Sequence, residues 1–505
     1  LTILDRPRAR FASLGRLVGG TGTDLFAGVG YSAIAQAAPL VVNVALTPYL
    51  IRHLGLDRFG VWSLILVLLF TLTSLDGGVS ASLARFYAFH QAHGDRAGTG
   101  RLVVGSLALF AALGLLLSGL CVLLAPSAFL LHISPQLRGE TVEVLRFLGP
   151  LVTLALVTNS ATSLLQANAR FRGLAGVTLC SCAVYAAGVV LVIGHGGSLT
   201  ALAAVTALRF VVLLVGGFVL GARHVVIRRP LLPPSRERRD FGGYALRMQV
   251  SGLTVFLNGE IDAFVIAALL PIRYVGIYAA GLQAASAVRS LPLYAFPPIL
   301  TRMTTGFAQH GLPGAVREFH LLQPRWLGAV LAYGAVSTAA VIFAVPVWLG
   351  PGLRLSGVVA ATLLVGYTVH VALTGMRTCL VRAIGRPGLE TRYSWLATVV
   401  NSALTVPLAL MFGVVGVVAA TAIGLVAGSL YFVVLCGRVA ELHRQRIPLR
   451  WILAIALAVL VAVAGELLVA GTGWHGMAPL TLAGLPVVAG LVVAAIVAVP
   501  RRDSR

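Results

Sequence analysis

The chain has 505 residues, 58% of them hydrophobic and 11% charged, with a mean hydropathy of +0.94. That excludes a soluble globular domain, because apolar runs longer than a core helix recur along its length. The net charge of +22 comes entirely from arginine, and its distribution along the chain argues against nucleic acid as a partner.

Fourteen spans are expected, roughly at 29–51, 60–89, 102–126, 142–167, 173–194, 198–221, 243–269, 275–300, 325–347, 356–384, 391–412, 414–436, 450–470 and 478–499. With the N-terminus inside, only Arg52, Arg58, Arg138, Arg273 and Arg354 fall in outer loops. Arg146, Arg209, Arg247, Arg289 and Arg377 fall within spans. The other 28 of the 38 lie on the inner side or at inner span ends, which places both termini in the cytoplasm. They also offer attraction to anionic lipid heads. Nothing in 1–28 reads as a cleaved signal, so the first span is expected to act as an uncleaved anchor.

The first span is rich in small residues and carries Gln36, Pro39, Asn43 and Pro48, which suggests a bend beside a wet surface. The second begins with Gly60-Val61-Trp62 and is interrupted by Asp76-Gly77-Gly78; a hinge at Gly77 and Gly78 is the better reading of that glycine pair. Asp76 would lie well inside the hydrocarbon, where a carboxylate needs a cavity or a partner. Spans three to six are blander. Residues 223–240 then form a long basic linker in which Pro230, Pro233 and Pro234 rule out a continuous helix. About 216 residues after the Gly60 motif comes Tyr274-Val275-Gly276-Ile277-Tyr278, and 380–387 takes the place of 164–171. Six spans per half give two repeats of the same orientation, related by an axis along the membrane normal. The expected organisation is a cytoplasmic segment (1–28), an N-lobe (29–221), a linker (222–242), a C-lobe (243–437), a second linker with two appended helices (438–499) and a tail (500–505).

Several short stretches resemble polysaccharide transporters, the O-antigen (Wzx-type) flippases of the multidrug/oligosaccharidyl-lipid/polysaccharide exporter superfamily. In the first half they are Pro48-Tyr49-Leu50, Phe59-Gly60-Val61-Trp62, Leu75-Asp76-Gly77-Gly78 and Arg85-Phe86-Tyr87. In the second they are Asn258-Gly259-Glu260-Ile261-Asp262, Val275-Gly276-Ile277-Tyr278, Phe296-Pro297-Pro298 and the stretch 380–387. The resemblance covers about 30–440. It implies an all-α polytopic protein with two six-helix lobes in a V around a central cavity, plus an appended helical pair. It also implies a polyprenyl-linked saccharide as cargo, moved by alternating access. Envelope glycan assembly enzymes would be partners, and a proton or sodium ion a candidate for coupling. Glu260 stands beside the family-like Asp262, which leaves open which carboxylate matters.

Rise per residue puts Arg209, Arg289 and His370 near the midplane, with Arg377 and Arg247 closer to the cytoplasm. In the functional reading these arginines bind the pyrophosphate or acidic sugars of the cargo, because the guanidinium fork matches phosphate. Asp76, Asp262 and Glu260 are then coupling or cavity acids. The alternative is internal pairing, for instance Arg289 with Asp262. His370 is better read as a hydrogen bond between helices, and Glu466 as a packing residue. Five cysteines (Cys121, Cys180, Cys182, Cys379, Cys436) without CxxC spacing give no metal or redox signal. No zinc, nucleophile-elbow or phosphate-loop motif is present, so neither enzyme activity nor a cofactor is expected. The rival readings are a multidrug or cation antiporter of the same fold, a peptidoglycan-precursor flippase and a multispan glycosyltransferase or sugar polymerase. The topology is testable: a cysteine at Gly196 should react with an impermeant thiol reagent in sealed cells, and one at Ser235 only after permeabilisation.

Overall fold

The structure, a computed structural model, describes residues 22–439 apart from 75, 77, 127–131, 169, 223–224, 228, 230 and 387. Gly77, the segment 1–21, the appended pair with Glu466 and the tail 500–505 lie outside the described residues. The elements are α1 (Gly22–Leu54), α2 (Leu56–Ser74), α3 (Val79–Ala92), α4 (Arg96–Leu124), α5 (Pro135–Ala167), α6 (Phe171–Gly194) and α7 (Leu199–Gly221). They continue with α8 (Ser235–Leu269), α9 (Arg273–Arg289), α10 (Phe296–Leu349), α11 (Arg354–Ala383) and α12 (Gly388–Val439). No strand occurs among the described residues.

Nine apolar helical stretches among the described residues are long enough to cross a membrane. Two of them, of 77 and 51 residues, exceed a single crossing of about 20. Gly311 (φ 66°) and Gly413 (φ 61°) divide them, each at a left-handed backbone angle that a side chain would resist. The expected second span, 60–89, is two helices: α2 stops at Ser74 and α3 restarts at Val79, with Gly78 at φ 70° between them. The expected eighth span, 275–300, is likewise broken after Arg289 by the 3₁₀ turn Leu291–Ala295. In the linker, the helix starts at Ser235 directly after Pro234, not at 243, and Gly242 and Gly243 lie inside α8. Prolines forbid helix only up to 234; the Arg-Glu-Arg-Arg that follows is a good helix former.

A 216-residue register runs through these elements. α5 and α11 end at Ala167 and Ala383, and the break around Asp76 returns at Leu291–Ala295. The packing repeats too. α4 lies on α5 and α5 on α7, as α10 lies on α11 and α11 on α12; α1 lies on α6 as α8 lies on α12.

The halves meet where α2 and α9 begin. A β-carbon at Gly60 would stand 2.3 Å from the Ile272 carbonyl oxygen, and one at Gly276 3.2 Å from the Gly60 nitrogen. Two positions related by the repeat therefore face each other across the join, backbone to backbone. One turn earlier Asp57 pairs with Arg273 at 3.3 Å, again 216 residues apart. Arg58 reaches Glu140 at 3.0 Å, and Glu140 also accepts from the Leu199 amide, so this end is tied to α5 and α7 as well.

At the opposite end the link runs through His90. Its ring lies between Asp95 (3.1 Å) and Glu237 (2.7 Å), which joins α3, the α4 N-terminus and the first turn of α8. Gly98 leaves room for that ring: a β-carbon there would fall 2.3 Å from His90 Nδ1. Gly100 makes room in the same way for the linker carbonyl of Val226. Asp95 caps α4 by accepting from Gly98 N at 2.7 Å. That amide, aided by His90 and Arg101, holds its carboxyl below the ordinary value of 3.8.

Two outcomes are expected. Gly60→Val should lower the stability of the purified protein by about 1–3 kcal/mol through overpacking, seen as a lower melting temperature. Because the Asp95 carboxyl is depressed, its contribution is full above its unfolded value and fades as pH falls through the folded one. The melting-temperature gap between wild type and Asp95→Asn should therefore close on acidification below about pH 4.

Candidate functional site

Between the halves lies a cavity of about 290 Å³, walled by α1, α2, α6, α8 and α9. Its polar groups recur at helical spacing: Asn43 and Thr47 on α1, Gln283 and Ser286 on α9, with Ser63, Tyr185 and Glu260 from their neighbours. Thr47 Oγ1 donates to Gln283 Oε1 at 2.5 Å, a hydrogen bond that bridges the halves. Trp62 and Phe59 supply apolar wall. Glu260 lines this cavity; none of the arginines singled out from the sequence does.

Asp262 is two residues on from Glu260, about 200° around α8, and faces away from the cavity. It is fully buried. Thr421 Oγ1 donates to its carboxylate at 2.5 Å, the Tyr278 hydroxyl at 3.3 Å and Asn401 Nδ2 at 3.5 Å. Thr405 Oγ1 lies 3.0 Å from Asn401 Oδ1, and Thr421 Oγ1 3.3 Å from the Val417 carbonyl. The reversal at Gly413 folds the two limbs of α12 face to face, which brings 401 and 405 opposite 417 and 421. Gly424 permits the approach; a β-carbon there would lie 3.0 Å from Asn401 Cβ. The result is a compact set of oxygens around one carboxylate. No group of three or more His, Cys, Asp and Glu that could hold a metal occurs among the described residues. Oxygens of one acid, one amide, three hydroxyls and a carbonyl suit a proton or a hard monovalent cation. In the first half, 216 residues earlier, the positions of Asp262, Asn401 and Thr421 hold Leu46, Tyr185 and Val205. The first-half junction therefore holds no acid and keeps a single polar side chain at these three positions, Tyr185.

The four arginines are dispersed. Arg209 stands behind the cavity wall, its guanidinium 5.4 Å from the ring centre of Tyr185, with a buried Nε that has no hydrogen-bond partner. Arg289 ends α9, exposed, 4.3 Å from the Tyr367 ring centre and one turn beyond the cavity residue Ser286. No ion pair joins Arg289 to Asp262, whose partners are uncharged. Arg377 is buried in a separate apolar cluster, donating to Leu373 O and lying against the Phe319 ring. Arg247 lies on α8; its side chain is outside the described set. Asp76 accepts from Gly78 N and Ser80 N, which makes it a cap for α3 at the break. His370 hydrogen-bonds Ser429 across helices, as the simpler reading has it.

Sequence reasoning missed Asn401, Thr405, Thr421, Thr47 and Gln283. The available signal was an Asn and a Thr four residues apart in an apolar span, with a second Thr beyond a glycine.

A family model described as polysaccharide biosynthesis protein matches residues 49–305, just over half of the chain. No curated protein matches the sequence. Among solved structures, an inward-facing multidrug-resistance MATE family transporter of the MOP superfamily superposes with a TM-score of 0.70 at 14% identity, over 83% of this chain and 99% of its own. The lipid II flippase MurJ in an inward closed conformation gives 0.63 at 15% identity, over 94% and 98%. A MOP superfamily transporter from Pyrococcus furiosus gives 0.53 at 14% identity, over 81% and 94%. At these identities the likeness shows the fold. The chain is thus a multi-pass membrane protein with the architecture of the MATE transporters and MurJ, and it belongs to the polysaccharide biosynthesis protein family.

Proposed function

We propose that the chain is a flippase. It moves a lipid-linked oligosaccharide or polysaccharide repeat unit across the bacterial cytoplasmic membrane by alternating access, with both termini cytoplasmic. The observation that carries this reading is a cavity between two repeat-related halves, largely apolar but with seven polar side chains in its wall, where the halves touch at both ends through separable contacts. Family membership and the MurJ-like fold support it. Hydroxyls, amides and Trp62 suit a sugar, which is recognised by hydrogen bonds and an aromatic wall. Arg289, on the Ser286 face of α9, would meet the phosphate of the carrier, and Arg209 would back the opposite wall. Asp262, with Asn401, Thr405 and Thr421, would hold the coupling proton or sodium ion, so that its charge state reports to α12. Arg247 and Arg377 remain candidates for the inner approach path. Glycan assembly enzymes are the expected partners.

One observation favours a second reading, a cation or drug antiporter of the same fold: the acid Glu260 lines the cavity and no arginine does.

Export and protein abundance should be measured together in a strain lacking the native gene. Arg289→Gln should lose export by about tenfold or more at normal abundance, the scale of one charge-assisted hydrogen bond. Arg209→Gln should act in the same direction, and Arg289→Lys should recover only part, because an ammonium lacks the fork. Asp262→Asn should keep substrate binding and blunt the ion dependence. Normal export with both arginines replaced by Gln would overturn the phosphate role. Loss of organic-cation efflux in Glu260→Gln, with glycan export intact, would establish the antiporter.

A further inference from the structure

A second cavity, of about 320 Å³, opens at the His90 end between α3, α4 and the first turns of α8. Its walls are apolar: Leu83 from α3, Leu102 and Leu109 from α4, Leu232 from the linker and Phe241 from α8. Leu109 and Leu232 are each nearly half exposed, so the groove is open at the side. Along α4, Leu102 and Leu109 are about 10 Å apart, which makes it a channel running inward from the charged end of the helices, in the direction of a lipid chain. Arg238 lines its mouth, and Arg239 follows it, also exposed. The one acid in the lining, Glu237, is turned to His90. The mouth is therefore cationic and the interior apolar.

We propose that this groove holds one acyl chain of an anionic glycerophospholipid, with the lipid phosphate on Arg238. Charge complementarity selects the occupant: a zwitterionic lipid would fill the channel equally well and gain less at the mouth. The walls belong to both halves, α3 and α4 on one side and α8 on the other. A bound lipid therefore fastens the same junction that His90 closes, and it must leave or shift when the halves separate there.

The test uses full-length protein in detergent, with lipid retention read by native mass spectrometry against phosphatidylglycerol and phosphatidylcholine. Wild type should retain phosphatidylglycerol about tenfold better, the scale of one charge-assisted contact. Arg238→Gln should bring the two lipids to within about twofold. Gly105→Leu should reduce retention of both, because a β-carbon there already lies 3.4 Å from Pro233 and a longer side chain fills the groove. Gly105→Ala, which adds one methyl at ordinary contact distance, should keep binding and serves as the folding control. Arg354→Gln, an exposed arginine at the other end of the molecule, should change nothing. Equal retention of the two lipids by wild type would overturn the proposal, as would an equal loss in Arg354→Gln. Displacement of phosphatidylglycerol by equimolar polyprenyl phosphate would overturn the choice of occupant. None of these outcomes depends on glycan export.

Discussion

Two backbones in near contact at Gly60 and Gly276 determine how the rest of the molecule is arranged. Helix axes usually stand 8–10 Å apart, separated by side chains. Here the absence of a β-carbon lets α2 and α9 close until a carbonyl lies where that carbon would be. Because the two glycines occupy the same position in each repeat, the closure lies on the axis that relates the halves. The Asp57–Arg273 pair beside it is half exposed and adds at most about 1 kcal/mol. Its use is in selecting the partner, since two identical repeats would place like charges there. A cavity can exist further along these helices because they touch so closely at one end and diverge.

A buried acid without a cation is the second constraint. In a dry interior a bare carboxylate is among the costlier groups to hold, and uncharged donors offset that cost only in part. Asp262 is surrounded by hydroxyls and an amide, an arrangement that stabilises a carboxylate without neutralising it. The equivalent junction in the first half, with Leu46, Tyr185 and Val205, holds no acid. Two repeats of one packing plan have thus diverged at this junction. Dispersal of the arginines follows the same logic. The guanidinium groups of Arg209, Arg289 and Arg377 lie against the rings of Tyr185, Tyr367 and Phe319, and none of the three forms an ion pair with Asp262.

The contacts at the two ends differ in kind. At the glycine crossing a close backbone fit is flanked by two arginine–carboxylate pairs, Asp57–Arg273 and Arg58–Glu140. At the His90 end the contact is a chain of titratable groups, His90, Asp95, Glu237 and Arg101, with a glycine-rich helix start shaped around them. The side chains of Asp57, Arg58 and Arg273 at the glycine end are about half exposed, whereas His90 and Glu237 are largely buried, so water reaches the ion pairs of the first end more readily than the second.

Length, hydropathy and arginine placement were enough to establish a polytopic helical protein, and the recurrence of Gly60-Val61-Trp62 as Gly276-Ile277-Tyr278 was enough to establish the duplication. Both are local or periodic properties, carried by each segment whatever it packs against. The helix break at Gly78 was legible for the same reason: a positive φ is a demand on one residue. The 3₁₀ break after Arg289 was missed although Pro292 stands inside it, because a proline in an apolar span can kink a helix without ending it. Tertiary structure alone decided that Glu260 faces the cavity while Asp262 turns to Thr421, that Arg289 leaves Asp262 for Tyr367, and that His90 joins the halves. Those partnerships join residues 139 to 159 positions apart in the case of Asp262. They depend on how far Gly413 turns the chain and how closely Gly424 lets two limbs approach, which are distances set by packing and carried by no single segment of sequence.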